Sequence, residues 1–367
     1  MGNSDLNNSL FTKAGVFMSI NRVYVGGVPM GAGAPVTIQS MTNTDTRNAA
    51  ATIAQILELE RADCEIVRSS VFDERCVEVL PDIIKNIHIP LVADIHFDHR
   101  LALGAMKAGV SKVRINPGNI GSEEGVKAVA LLAKERGIPI RIGVNGGSLE
   151  KELLKEYGVC AKAMVLSAVR HAEMLEKYGF SDIVLSLKAS DPKTTVQAYR
   201  MAAERLPYPL HLGVTEAGLG EDALIKSAIG IGSLLLDGIG DTVRVSMTGG
   251  VVQEVEAAKK ILEAAGTRKS RVRIVSCPTC GRTRVELAPI VERVKKALDF
   301  EGAKPIDVAV MGCAVNGPGE AKEADIGIAF GTVNAAVFKN GEIVYTDILP
   351  GVIDRFIEDA KALCAQS

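Results

Sequence analysis

A short apolar run rich in β-branched residues, a turn and an amphipathic segment recur from about residue 36 to about residue 265. Apolar runs bounded by turn residues indicate buried strands, and the amphipathic segments between them indicate helices. Strands that alternate with helices predict a parallel sheet joined by right-handed crossovers. The predicted strands are residues 36–41, 65–71, 90–95, 112–116, 139–145, 182–188, 209–215 and 242–247, and the predicted helices include 49–61, 122–136, 161–178 and 221–236.

Eight strand–helix units of nearly equal length, over about 230 residues, predict an α/β fold of the closed (β/α)8 class, a TIM-type barrel. An open, doubly wound parallel sheet is the alternative architecture. It is disfavoured because no G-x-G-x-x-G pattern follows the first predicted strand. The barrel is expected over residues 36–266, preceded in residues 1–35 by a short hairpin around Gly26 and Gly27.

The pattern changes after Gly266, where a smaller α+β domain is expected over residues 267–367. The Asn340-Gly341 pair is a strong signal for a tight hairpin turn. The predicted elements of this domain are strands 272–276, 307–311 and 326–330, helices 287–300 and 351–364, and a hairpin over 335–347.

Composition narrows the possible functions of this two-domain chain. Of its 367 residues 47% are hydrophobic and 23% are charged, as in folded globular domains. A formal net charge of −2, together with the absence of Trp, argues against a nucleic-acid-binding surface. No apolar run reaches the roughly 18 residues that a membrane span needs, so no membrane partner is expected.

The cysteine content and the first residues indicate the compartment. No basic segment followed by an apolar stretch opens the chain, so no signal peptide is expected. Seven scattered cysteines, an odd number, indicate a reducing compartment, and we expect a cytoplasmic protein. Cys64 and Cys364 are expected to be packing residues.

Cationic side chains stand near the carboxyl ends of five predicted strands, the end at which barrel enzymes form their active sites. A single arginine there commonly forms a salt bridge on the rim. Five cations repel one another unless an anion lies between them, and arginine forks suit phosphate oxygens, so a ligand with more than one phosphate is predicted. The cations are Arg68, Arg114, Arg141, Lys188 and Arg244, and the other polar residues at these ends are Asp94, His96, Asn116, Asn145 and Ser246.

Glu216 is a carboxylate among these cations, at the end of the seventh predicted strand. It would repel a phosphate, so the functional interpretation is proton transfer at a different part of the ligand. The structural interpretation is charge balance with Lys188 or Arg244. Proton transfer is favoured, and both interpretations stay open at this point.

The second domain carries three cysteines that follow predicted strands: Cys277 and Cys280 in a CxxC pair, and Cys313 in a loop rich in Gly and Pro. A CxxC pair alone is ambiguous between zinc, a redox disulfide and an iron–sulfur cluster. Structural zinc takes a fourth Cys or His, and all five histidines lie in the barrel half. Glu320 is the obvious fourth ligand, and a carboxylate on one iron of a thiolate-held [4Fe–4S] cluster would be replaceable by substrate.

Long motifs follow one another through residues 20–364. They are QSMTNT from residue 39, LVADIHFD from 91, RINPGNIG from 114, IRIGVN from 140, GSLE from 147, KASD from 188, TEAG from 215, KSAIG from 226, GIGDTVRVS from 238, CPTCGRT from 277 and NGPGEA from 316. In this order they resemble the IspG (GcpE) family, the 4-hydroxy-3-methylbut-2-enyl diphosphate synthases of the methylerythritol phosphate route to isoprenoids.

The resemblance implies an iron–sulfur oxidoreductase that converts 2-C-methyl-D-erythritol 2,4-cyclodiphosphate to the hydroxymethylbutenyl diphosphate. Ring opening and loss of a hydroxyl as water consume two electrons, which ferredoxin or flavodoxin delivers. The resemblance implies a [4Fe–4S] cluster on Cys277, Cys280, Cys313 and Glu320, a diphosphate held by the polar strand-end residues, and proton transfer by Glu216. It also implies a head-to-tail homodimer in which one subunit's barrel and the other's cluster domain close over the substrate.

Two stretches depart from the family pattern: Ser69-Ser70-Val71-Phe72, and Arg47-Asn48. Both are predicted to lie in loops, where they affect the local shape near Arg68 and leave the chemistry in place.

Two rival functions come from other classes. One is a phosphate-binding barrel with a zinc-bearing accessory domain, which lacks a fourth soft ligand. The other is a non-catalytic, iron-responsive binding protein, which requires a basic surface that the net charge does not indicate.

Overall fold

The computed structural model describes residues 19–270, 272–300, 302–314, 319 and 323–365. The chain divides into two compact units, residues 1–268 and residues 269–367. No helix among these described residues is long and apolar enough to cross a membrane.

The first unit opens with the predicted hairpin, formed by β1 (Val23–Val25) and β2 (Val28–Met30). Gly26 and Gly27 form its turn with φ of +55° and +90°, values that glycine adopts without strain. Eight further strands form one parallel sheet. They are β3 (Thr37–Met41), β4 (Ile66–Ser70), β5 (Leu91–Asp94), β6 (Lys112–Ile115), β7 (Ile140–Asn145), β8 (Ile183–Lys188), β9 (His211–Leu212) and β10 (Thr242–Val243).

The sheet closes into a barrel, which confirms the predicted fold class and excludes the open sheet. β3 pairs in parallel with both β4 and β10, and β10 pairs with β9. A parallel bridge between Leu185 and Leu210 joins β8 to the residue before β9. The last two strands are shorter than predicted because the chain leaves the ladder at the barrel mouth. At Gly213 a Cβ atom would lie 2.6 Å from the carbonyl oxygen of Arg244.

The helices that surround the barrel begin at side-chain caps in five cases. Asn48, Asp73, Asp98, Ser122 and Asp191 each accept a backbone N–H of the first turn. The helices are α1 (Ala49–Arg61), α2 (Glu74–Lys85), α3 (His99–Ala108), α4 (Glu123–Arg136), α5 (Lys151–Tyr157), α6 (Ala161–Glu176), α7 (Pro192–Arg205), α8 (Gly220–Ser227), α9 (Ser233–Leu236) and α10 (Val251–Ala264).

The predicted helix 221–236 is interrupted by a π-helical turn at Ala228–Gly232, between α8 and α9. Gly230 explains the close packing there, because a Cβ atom at this position would lie 2.4 Å from Val214 Cγ2. The helix therefore approaches the segment after β9 more closely than a larger residue would allow.

The hairpin closes the amino-terminal end of the barrel. Its Val23, Val25 and Met30 pack against Ile66, Val92 and Val184, which lie at the beginnings of barrel strands. Because side chains alternate along a strand, Ile66 shares a face with Arg68, and Val92 with Asp94. The apolar beginnings and the polar ends of these strands therefore occupy the same interior.

The second unit is an α+β domain, as predicted. Its elements are β11 (Val272–Ser276), α11 (Leu287–Leu298), β12 (Ile306–Met311), β13 (Ile326–Phe330), β14 (Asn334–Lys339), β15 (Glu342–Ile348) and α12 (Gly351–Ala365). The sheet has the order β11-β12-β13-β14-β15: the first three strands are parallel, β14 is antiparallel to β13, and β15 is antiparallel to β14. Asn340 and Gly341 turn the last hairpin with φ of +50° and +83°, as predicted.

Candidate functional site

A cavity that is open to solvent lies at the carboxyl ends of the barrel strands. Nine of the ten predicted ligand residues line it: Arg68, Asp94, His96, Arg114, Arg141, Asn145, Lys188, Arg244 and Ser246. Strand register brings them together, because Asp94 pairs with Arg114, Arg114 with Arg141, and Asn145 with Lys188 on neighbouring strands. Sequence reasoning missed three further wall residues, Ser186, Val214 and Thr215.

Asp94 is a buried carboxylate that two arginines share. Its Oδ1 lies 3.1 Å from Arg114 Nη1, and its Oδ2 lies 3.6 Å from Arg68 Nε. Burial by itself raises the pKa of Asp94, but the charge of Arg68, a hydrogen bond with His96 and the charge of Arg114 together hold that pKa well below its usual value. Burial in turn lowers the pKa of Arg68 to about 10, although the charge of Asp94 opposes this shift. Asp94 therefore stays ionised and orients both guanidinium groups.

Arg244 is balanced by Glu254, a residue of α10 that sequence reasoning missed. Arg244 Nη2 lies 3.1 Å from both carboxylate oxygens of Glu254, and Arg244 Nη1 donates to Ser246 Oγ at 3.2 Å. A sequence signal for this residue exists: Glu254 is a charged residue within the buried apolar stripe of Val251, Val255 and Ala258 on its helix. Of the two cations considered as partners of Glu216, Arg244 is therefore paired with a different carboxylate, Glu254.

Arg141 and Lys188 have no carboxylate within ion-pair distance among the described residues. Arg141 is only 1% exposed, and its Nε and Nη1 atoms have no hydrogen-bond partner. Burial, followed by the charges of neighbouring cations, holds the pKa of both groups well below the usual values. Five cationic side chains thus face two carboxylates among the described residues, Asp94 and Glu254, so an anionic ligand in the cavity would stabilise the protonated forms of the unpaired cations.

A polar layer lies beneath these cations, where barrels usually carry bulky apolar residues. Lys112 and His211 are both fully buried. Burial and then the charge of Arg141 hold the pKa of Lys112 well below its usual value, and the same two causes, in the same order, lower that of His211. Sequence reasoning passed over both residues, since an isolated cation inside a predicted strand gives no specific signal.

Two predicted site residues do not line the cavity. Asn116 is buried and folds back on its own turn, where its Oδ1 accepts the N–H of Gly118 at 3.1 Å. Glu216 is exposed and follows the wall residue Thr215. Its φ of +55° is unusual for a residue other than glycine, and such strain is found most often at functional sites. Its carboxylate has no hydrogen bond or ion pair to any described residue.

The three predicted cysteine ligands follow two neighbouring parallel strands of the second unit. Ser276 and Val310 are register partners, so Cys277 and Cys313 both leave the sheet at the same end. The N–H of Gly312 donates to Cys277 Sγ at 3.2 Å. The N–H of Cys280 donates to Thr283 Oγ1 at 3.0 Å, and a hydrogen bond from the backbone of Arg282 is the main cause that lowers the pKa of the Cys280 thiol.

The donor set fits an iron–sulfur cluster in chemistry and in topology. Three thiol groups beside donating backbone N–H groups are typical of such sites. In the described part of the chain, no three His, Cys, Asp or Glu side chains are grouped closely enough to hold a metal ion. Glu320, the predicted fourth ligand, lies outside the described residues.

Two other cysteines are packing residues, as predicted. Cys64 and Cys364 are buried, and burial raises the pKa of the Cys64 thiol to about 12. Neither is therefore a ready thiolate ligand.

The expectation that both sequence departures lie in loops is wrong for one of them. Ser69 and Ser70 belong to β4, and buried Ser69 shares a hydrogen bond of 2.9 Å with Thr42. Arg47 does lie in a loop, with its guanidinium carbon 5.0 Å from the ring centroid of Phe72. The two departures therefore contact each other, and neither lines the cavity.

The fold and the site together define a barrel protein with a cationic ligand cavity and a separate domain that carries three cysteines after its parallel strands. The GcpE TIM-barrel domain model matches residues 20–259, and the GcpE protein C-terminal domain model matches residues 273–361. The chain belongs to this GcpE family, a family of iron–sulfur oxidoreductases in isoprenoid biosynthesis.

Two relatives illustrate the similarity, and both are named 4-hydroxy-3-methylbut-2-en-1-yl diphosphate synthase (flavodoxin). The Clostridium tetani protein is 52% identical over 342 residues, which cover 93% of this chain and 97% of the relative. The Thermodesulfovibrio yellowstonii protein is 54% identical over 341 residues, with the same two coverages.

Among solved structures, dihydropteroate synthase from Stenotrophomonas maltophilia is similar with a TM-score of 0.50 at 15% identity, over 68% of this chain and 99% of that one. This last likeness shows the barrel fold alone.

Proposed function

We propose that the protein is a 4-hydroxy-3-methylbut-2-en-1-yl diphosphate synthase. It takes up two electrons and one proton, opens the ring of 2-C-methyl-D-erythritol 2,4-cyclodiphosphate and releases one hydroxyl as water, which leaves (E)-4-hydroxy-3-methylbut-2-enyl diphosphate. The observation that carries the proposal is the set of five cationic side chains in the cavity, two of which, Arg141 and Lys188, have no carboxylate partner among the described residues. The names of the relatives support the particular substrate.

The wall residues divide into two roles in substrate binding. Arg141 and Lys188 supply the uncompensated charge that attracts a diphosphate. Arg68, Arg114 and Arg244 are held by carboxylates, so they offer oriented N–H donors. Asn145, Ser246 and His96 add hydrogen-bonding groups at the same mouth, and Asn116 shapes the turn after β6.

Glu216 is the candidate for proton transfer to or from the carbon skeleton. Its exposure and its lack of a described partner leave the carboxylate free to meet substrate. Its position beside Thr215 connects it to the cavity wall.

Cys277, Cys280, Cys313 and Glu320 would hold a [4Fe–4S] cluster. When bound, such a cluster supplies electrons one at a time and offers an iron site to an oxygen of the substrate. Flavodoxin, which the relatives' names specify, is the proposed electron donor, with ferredoxin as the second candidate.

Each unit carries one half of the required chemistry, which supports a division into a substrate domain over residues 36–266 and a cluster domain over residues 267–367. We place the reaction in a cytoplasmic homodimer in which the barrel of one subunit and the cluster domain of the other share the active site. Either domain expressed alone is then inactive, and activity of a lone barrel would contradict this arrangement.

The test is a turnover assay under anaerobic conditions. Full-length protein reconstituted with iron and sulfide is mixed with reduced flavodoxin and the cyclodiphosphate, and the product is identified by mass spectrometry. We expect one product molecule for every two electrons, and none from Lys188→Met at the same iron content. Absence of conversion by wild-type protein with full iron and sulfide content would overturn the proposal.

A further inference from the structure

Glu254 is a buried carboxylate on α10 that contacts two other parts of the first unit. Besides Arg244, it accepts the backbone N–H of Met247 at 3.0 Å and faces Ser40 Oγ at 3.4 Å. Its side chain is 5% exposed, and it does not belong to the cavity wall. The helix α10, the strand β3 and the segment after β10 thus meet at this one side chain.

The segment after β10 depends on these contacts because it leaves the sheet there. β10 ends at Val243, and the N–H of Arg244 still donates to the carbonyl oxygen of Leu212 at 3.0 Å, whereas Ser246 lies beyond the strand. Arg244 uses Nη2 for Glu254 and Nη1 for Ser246 Oγ, which fixes the plane of the guanidinium. The bond to the N–H of Met247 fixes the backbone next to Ser246. Both cavity residues are therefore oriented from behind by a single carboxylate.

We infer that Glu254 is a positioning residue for substrate binding, one that orients Arg244 and Ser246 toward the same phosphate group. The inference rests on the proposed function for the identity of the ligand. Glu254 acts through Arg244 and does not touch the ligand. Every neighbour named above can donate a hydrogen bond to the carboxylate. In Glu254→Gln, the NH2 group of the amide would therefore face a hydrogen-bond donor.

The experiment is a double-mutant cycle with a binding readout that needs no reductant. The dissociation constant of the cyclodiphosphate is measured by calorimetry on the full-length protein, loaded with iron and sulfide under anaerobic conditions. The variants are Glu254→Gln, Arg244→Met and the double variant. Glu256→Gln is the matched control, since Glu256 lies on the same helix, outside the cavity wall, and pairs with Lys259.

We expect Glu254→Gln to weaken binding by about tenfold or more, because it loosens a charge-assisted contact that orients Arg244. In the Arg244→Met background the same substitution is expected to change binding less than about twofold, since residues that act as a unit are not additive. Glu256→Gln is expected to bind as the wild type does. Equal losses in both backgrounds, or wild-type binding by Glu254→Gln, would overturn the inference.

Two additions keep the outcome interpretable. If Glu254→Gln does not fold, Glu254→Asp takes its place, because aspartate keeps the negative charge on a side chain that is one methylene group shorter. Inorganic pyrophosphate serves as a second probe: if wild-type protein binds pyrophosphate but not the cyclodiphosphate, the proposed function fails, and the cycle measured with pyrophosphate still decides the role of Glu254.

Discussion

Asp94 and Arg114 form a buried ion pair at the barrel mouth, with Asp94 Oδ1 3.1 Å from Arg114 Nη1. The two residues are register partners on β5 and β6, so the sheet itself fixes their distance. Arg141 follows in the same register on β7, and no carboxylate in the described part of the chain pairs with it. The cavity thus contains both oriented, compensated arginines and uncompensated cations, and the two kinds respond differently to substitution.

Arg141→Met is predicted to raise stability while it abolishes ligand binding. A buried cation without a partner is costly, so an apolar side chain of similar length is expected to raise the free energy of unfolding by about 1–4 kcal/mol. Denaturant unfolding and calorimetry with the cyclodiphosphate measure the two effects. Arg200→Met is the control, because Arg200 is half-exposed and its pair with Asp237 contributes little. Lower stability of Arg141→Met would contradict this assignment of charge.

Asp94→Asn is predicted to have the opposite effect on stability. It leaves Arg68 and Arg114 without their shared carboxylate, which is expected to cost about 3–5 kcal/mol. Burial opposes ionisation of Asp94, but the charge of Arg68 and its other partners hold the pKa below that of an unfolded chain, about 3.9. The contribution of Asp94 is therefore present above about pH 5 and is lost as the pH falls through the folded-state pKa.

Unfolding measured from pH 6 to pH 3 checks this sign. Wild-type protein should lose more stability over that range than Asp94→Asn does, and the exposed control Asp82→Asn should follow the wild type. Equal acid sensitivity of wild type and Asp94→Asn would exclude a depressed pKa for Asp94.

Glu216→Gln is predicted to lower kcat by about 100-fold or more, the usual contribution of a positioned proton-transfer group. The dissociation constant of the cyclodiphosphate should stay within about twofold of the wild-type value, since Glu216 is not part of the cavity wall. Glu221→Gln, an exposed carboxylate in the first turn of α8, is the control. A weaker affinity at unchanged kcat would assign Glu216 to binding instead.

Much of this site follows from periodicity and one architectural rule. The apolar runs predict the barrel strands, and the rule that barrel sites form at strand carboxyl ends selects nine wall residues. Sequence analysis did not identify Glu254 as a site residue, because Glu254 lies on a helix and acts on the site through Arg244, a tertiary contact that no local sequence pattern encodes. Asn116 was expected in the wall from strand alternation, but its side chain caps the following turn. The short β9 and β10 reflect close approaches, such as that at Gly213, that depend on tertiary packing.

In the proposed function, three cysteines and Glu320 hold an iron–sulfur cluster with one distinct iron. The decisive experiment is anaerobic Mössbauer spectroscopy with iron and sulfide analysis of the purified protein and of Glu320→Ala, with Cys160→Ser as a cysteine control. We expect about four irons per chain, with one distinct iron signal that changes in Glu320→Ala and is retained in Cys160→Ser. About one zinc per chain without sulfide would overturn the proposed cluster and favour a zinc-bearing barrel protein.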